Sequence, residues 1–181
     1  YWSRWPRDTG VLETALQRPD VVEAMSVRFR TATTGPLAAQ LRSMLRWPGL
    51  DRHLPELARH AVQPSVRAVA LGFMIEGRVS WPIGSELQWI DKPYGIAKSV
   101  VTLQSRAIVP PATRAEWIAH GVADRSAAVR RIAVIAMIKC RGELPGVYDL
   151  ARRLIADKSK PVRERAAYLL SVEPGAVGSK Q

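Results

Sequence analysis

Glu116-Trp117-Ile118-Ala119-His120-Gly121-Val122-Ala123-Asp124 and Asp149-Leu150-Ala151-Arg152-Arg153-Leu154-Ile155-Ala156-Asp157 stand 33 residues apart and align without a gap. The offset continues downstream, where Val129-Arg130 matches Val162-Arg163, Ala133 matches Ala166 and Met137 matches Leu170. A fixed period of about 20 to 50 residues marks a chain of stacked structural units. Inside the first unit Trp117, Ile118 and Val122 make one helical stripe, and Val129, Ile132, Ala133, Ala136 and Met137 make another. Ala123-Asp124-Arg125-Ser126 breaks the pattern between them, so each unit reads as a helical hairpin.

Working outward, a third copy spans Leu54 to Gly77, with Pro64-Ser65-Val66-Arg67 opening its second helix. Val66 lies 63 residues before Val129, a gap that two periods fit. A degenerate copy is therefore expected over Ser85 to Asp91 and Gly95 to Ala107. Upstream, Leu12 to Gln17, Val21 to Arg30 and Pro36 to Arg46 read as helices bounded by Pro19, Gly35 and Pro48. The expected fold class is all-α, with about five helical pairs over residues 11–173 and strand content near zero. Residues 1–10 are expected to form an N-terminal strap and residues 174–181 a flexible tail. Pro82, Gly84 and Pro93 together with Trp81, Trp89 and Tyr94 predict a longer loop within Gly77 to Gly95. Trp81, Trp89 and Asp91 form its candidate site, because such loops often carry function.

The string Asp124, Val129-Arg130, Ala133 and its copy Asp157, Val162-Arg163, Ala166 resembles the HEAT-repeat family. The resemblance implies a right-handed α-solenoid in which a turn Asp and an Arg six residues later form a ladder between neighbouring hairpins. Asp124, Arg130, Asp157, Arg163 and Arg67 are the candidate ladder residues, although Ala61 stands where the third copy would have its Asp. The match is strong over residues 113–171 and weaker over 51–77, and the proline that frequently bends the first helix is missing from every copy. A solenoid is a scaffold, so the resemblance implies no single function.

Composition narrows the partner. The 181 residues carry 27 Lys plus Arg against 16 Asp plus Glu, a net charge of +11. Residues 91–181 hold 16 basic and 8 acidic side chains, so most of the excess lies there. That balance exceeds what solubility alone calls for in a small domain, about 2 to 8, and points to an acidic partner. Interspersed acids favour an acidic protein over nucleic acid, which would prefer an unbroken basic stripe. The expected docking residues are Arg131 and Lys139 on one second helix, Arg165 and Tyr168 on the next, and Arg152 and Arg153 beside them.

The chain contains no Gly-rich phosphate loop, nucleophile elbow, Cys-x-x-Cys or His-Glu-x-x-His. Cys140 is single and reads as a helical core thiol. His53 and His60 lack a third nearby ligand, and His120 stands four residues before Asp124 near a helix end. No metal or cofactor is expected, and the leading reading is a non-catalytic binding scaffold. The alternative is a nucleic-acid-binding HEAT-like protein, including a DNA glycosylase of the HEAT-like type, for which Trp81, Trp89, Asp91 and Trp117 supply suitable residue types. Trp2, Arg4, Trp5 and Arg7 mix aromatic and basic side chains as at an anionic membrane surface. The expectation is a cytoplasmic protein whose strap either packs on the first helices or lies at a membrane to which a segment upstream of Tyr1 tethers it.

Overall fold

Proline and glycine set the element boundaries. Pro19, Pro64 and Pro161 occupy first-turn helix positions, where a missing N–H is harmless. Gly77 adopts the left-handed conformation (φ 67°) and ends a helix sharply by donating its N–H to the Phe73 carbonyl. The computed structural model describes residues 9–108 and 114–173. Trp2, Arg4, Trp5 and Arg7 of the expected strap, and the expected tail 174–181, lie outside the described residues, while Thr9 and Gly10 open a helix.

The helices are α1 (Thr9–Leu16), α2 (Pro19–Thr31), α3 (Leu37–Met44), α4 (Leu54–His60), α5 (Pro64–Glu76), α6 (Arg114–Val122), α7 (Ala127–Lys139), α8 (Val147–Leu154) and α9 (Lys160–Ser171). A 3-10 turn, Leu50–His53, precedes α4. The helices pack in two rows. In one, α3 lies against α5, α5 against α7 and α7 against α9; in the other, α2 lies against α4 and α6 against α8. Between the rows runs one continuous core containing Phe29, Leu41, Leu57, Leu71, Ile118, Met137 and Leu169, all fully buried. Each helix alone has an apolar stripe too narrow to stay out of water, and neighbours on two sides remove it.

The expectation of an all-α solenoid does not survive, because β1 (Arg78–Asp91) and β2 (Ile96–Ala107) form a two-stranded antiparallel sheet. This β-hairpin occupies both the expected loop and the expected degenerate helical copy. Lys92-Pro93-Tyr94-Gly95 makes its turn, closed by a hydrogen bond from the Gly95 N–H to the Lys92 carbonyl, with Gly95 at φ +69°. The protein is a mixed α/β chain of nine helices and one hairpin among the described residues.

The ladder spacing explains the discrepancy. Arg67 pairs with an Asp 57 residues on and Arg130 with one 27 residues on. The difference of 30 is the length of Arg78 to Ala107. The 63-residue gap from Val66 to Val129 is thus one 33-residue period plus a 30-residue insertion, and only by coincidence lies near two periods. With the hairpin set aside, α4–α5 abuts α6–α7 directly.

The base of the hairpin is well anchored. Val79 is buried, and the Ile108 N–H donates to the Gly77 carbonyl. Arg106 donates to both Asp51 carboxylate oxygens, at 3.1 and 2.9 Å, and to the carbonyls of Leu45, Arg46 and Trp47 just past α3. One side chain thereby caps α3 and ties β2 to the helices. From Pro82 to Ser105 every residue is exposed or half-exposed, so beyond its base the hairpin is an arm in solvent.

Candidate functional site

Two polar constructions distinguish the helical body. The first is the ladder. Arg67, only 2% exposed, donates from Nε and Nη2 to the two Asp124 carboxylate oxygens at 2.9 and 3.1 Å. Its Nη1 donates back to the carbonyls of Ala61 and Val62. Arg130 repeats the arrangement on Asp157 at 2.5 and 2.8 Å, with Nη1 on the Asp124 carbonyl. Arg163 donates Nη1 to the carbonyls of Asp157 and Lys158.

Each Asp also accepts the N–H of the residue two positions on, Ser126 or Ser159, and so caps the turn into the following helix. Burial pushes the Asp124 carboxyl up, but the Arg67 hydrogen bonds and the Ser126 N–H outweigh it and hold the group below the usual carboxylate range. The Arg130 hydrogen bonds do the same for Asp157 against a smaller burial effect, and Asp157 in turn raises the Arg130 guanidinium. Arg67 with Asp124 and Arg130 with Asp157 face one another, which makes the ladder a stitch between helical pairs, and Arg163 ends it on backbone carbonyls.

The second construction is a groove of about 660 Å³ between α5 and α7. Its floor is apolar, formed by Val69, Gly72 and Phe73 of α5 and Ile132, Ile135 and Ala136 of α7. Arg42, Arg78, Arg114 and Lys139 stand on its rim against the single carboxylate of Glu76. Arg114 is committed, donating to Glu143 at 2.9 Å and to the Ile75 carbonyl. Arg42, Arg78 and Lys139 are exposed and make no ion pair among the described residues. Such a surface offers three exposed cations over a half-buried apolar floor.

Of the residues expected to dock a partner, Lys139 alone lines this groove. Arg131, Arg153 and Tyr168 are exposed elsewhere. Arg152 is spent on Glu173 and Asp149, and Arg165 donates to the Pro161 carbonyl. The candidate loop site is not assembled. Trp81 is half-buried at the hairpin base with Arg106 5.8 Å from its ring, whereas Trp89 and Asp91 lie at the distal end. Trp117 is buried, with Arg59 stacked 4.4 Å from its ring centroid and His120 edge-on. Cys140 is half-buried at the groove and at the end of α7, with Arg114 3.8 Å from Sγ, rather than a core thiol.

Arg42, Arg78, Arg114 and Phe73 come from three segments and the first residue of a strand. Their meeting is visible only once the insertion is removed from the repeat count. Among the described residues no cluster of three His, Cys, Asp or Glu side chains comes together, and no helix is long and apolar enough to cross a membrane. Set against protein-family models, curated proteins and solved structures, the chain finds no match.

Proposed function

We propose that the protein is a non-catalytic binding module, built of HEAT-like helical pairs, that docks an acidic segment of a partner protein in the α5–α7 groove. The observation that carries this reading is the groove's composition: an apolar floor under Arg42, Arg78 and Lys139, whose charges have no ion-pair partner among the described residues. Carboxylates at the rim gain charge-assisted contacts, and apolar side chains between them lose water on Phe73, Ile132 and Ile135. A nucleic-acid backbone would use the rim and leave the floor unfilled, so an amphipathic acidic peptide fits better. The net charge of +11 raises the encounter rate with such a partner.

The test uses fluorescein-labelled amphipathic peptides with Asp and Glu between Leu or Ile at helical spacing, read by anisotropy. Binding is expected to weaken at least tenfold in both Arg42→Glu/Lys139→Glu and Ile132→Glu. Equal binding by all three proteins would refute the groove. Tight duplex DNA binding at about 50 mM salt, with a steep salt slope and no sensitivity to Ile132→Glu, would favour the nucleic-acid alternative.

A further inference from the structure

The hairpin arm has no place in the groove reading and carries its own signal. Of the fourteen large hydrophobic side chains exposed among the described residues, eight lie between Ile83 and Leu103, so the arm concentrates the molecule's exposed apolar surface. The strand register decides which share a face. Leu87 lies opposite Ser99, Trp89 opposite Ala97, Ser85 opposite Val101 and Pro82 opposite Leu103, with a bulge at Ile83. These pairs make one face, on which Ser85 and Ser99 are the only polar side chains. The other face carries Glu86, Gln88, Lys98 and Thr102 around Val100, with Ile96 beside the turn and Ile90 at a second bulge. Leu87, Trp89, Val101 and Leu103 remain between 49% and 67% exposed.

A hairpin of two strands is marginal in water alone, and an apolar stripe of this kind on a soluble monomer marks an interaction site. We infer that the arm is a dimerisation element, in which two copies of this chain pack these apolar faces together about a two-fold axis. Each exposed side chain of this size still presents on the order of 100 Å² to water, so the stripe and Ile83 from two copies would remove about 1,000 Å² at most, the size of a weak, concentration-dependent dimer.

Charge selects a second copy as occupant. Between Pro82 and Leu103 the arm holds Glu86 and Asp91 against Lys92 and Lys98, a balance of zero in a chain of net charge +11. It therefore lacks the cationic excess that would recruit an acidic protein or an anionic bilayer, and two arms meet without repulsion. Antiparallel packing keeps the bodies at opposite ends of an arm about 25 Å long at 3.3 Å per residue, well beyond a screening length of about 8 Å. Sheets packed face to face at about 10 Å accommodate such side chains, and a two-fold contact closes on itself without forming fibres.

The test is sedimentation equilibrium on the 181-residue chain. The expected mass is twice 20.0 kDa, and the association persists or tightens as salt rises, because screening relieves the repulsion between bodies. Leu87→Asp/Leu103→Asp is expected to raise the dissociation constant at least 100-fold with an unchanged circular dichroism spectrum, while Gln88→Lys on the opposite face leaves the dimer intact. In a Cys140→Ser background, Ser85→Cys at the middle of the face should be linked between copies by a short bismaleimide, which spans the gap between packed sheets, and Gln88→Cys should not. This readout holds even if the double Asp variant folds poorly. A 20.0 kDa species at concentrations of about 100 μM overturns the inference. So does a dimer indifferent to the Leu changes, or a monomer whose Leu87 and Trp89 instead bind phosphatidylserine vesicles.

Discussion

The helical body and the hairpin arm solve opposite problems with the same amino acids. In the body the apolar side chains are inside, and the ladder ions are buried with them, each Arg holding an Asp of the next pair and a carbonyl of its own turn. In the arm the apolar side chains are outside, and a few balanced charges stay in water. Burial of charge is costly unless every donor and acceptor is matched, so the ladder fixes how one helical pair seats on the next. Exposure of apolar surface is costly unless something covers it. The body is thus built to be stable by itself, and the arm is built to be completed.

Breaking the ladder at its most buried rung should have the largest effect on stability. Arg67→Ala leaves the Asp124 carboxylate and the carbonyls of Ala61 and Val62 without their donors in the interior. Removing one partner of a buried pair typically costs about 3 to 5 kcal/mol, and urea unfolding should register a loss of that size. A loss below about 1 kcal/mol would mean that water replaces the guanidinium and that the rung is not part of the core.

Asp157→Ala acts on the second rung, where Arg130 keeps some access to water, so the expected loss is smaller, about 1 to 3 kcal/mol. Acid sharpens this comparison. Both ladder carboxyls sit below their ordinary range in the folded protein. The unfolded chain therefore takes up protons first as pH falls, and the stabilisation present above about pH 4 is lost as pH drops through the folded values. Asp157→Asn should be less stable than the natural chain at neutral pH, and the gap should close below about pH 4 in urea titrations. A constant gap would assign the loss to packing instead of charge.

The period of 33 and the Asp and Arg positions of the ladder could be read from the sequence, because turn chemistry and core spacing are local. The partner of Arg67 could not, since it lies 57 residues away across the insertion. The hairpin had left its own signals: β-branched Val100-Val101-Thr102, and Lys92-Pro93-Tyr94-Gly95 as a turn with a left-handed glycine. They are obscured because Ile90 and the adjacent Val100-Val101 break the alternation that Leu87 and Trp89 begin, and because the 63-residue gap fits two repeat periods. The groove was legible only at Lys139. Arg42 and Arg78 lie outside the matched repeats, Arg114 aligns with Val147 and is not repeated, and their meeting depends on α5 and α7 being direct neighbours.

The smallest effect is expected where the arm is altered and only the body is measured. Leu87→Asp/Leu103→Asp lies beyond the anchoring contacts of Val79 and Arg106, and touches neither the core nor the ladder. Measured by urea unfolding at a concentration low enough to keep both proteins monomeric, the double variant should match the natural chain within about 0.5 kcal/mol, as surface substitutions do. At high concentration the natural chain alone should gain apparent stability, because association favours the folded form by mass action. A loss of about 2 kcal/mol or more at low concentration would mean that the arm folds back on the helices in solution. Its apolar face would then be part of the core, and the division between a self-sufficient body and an arm awaiting its partner would not hold.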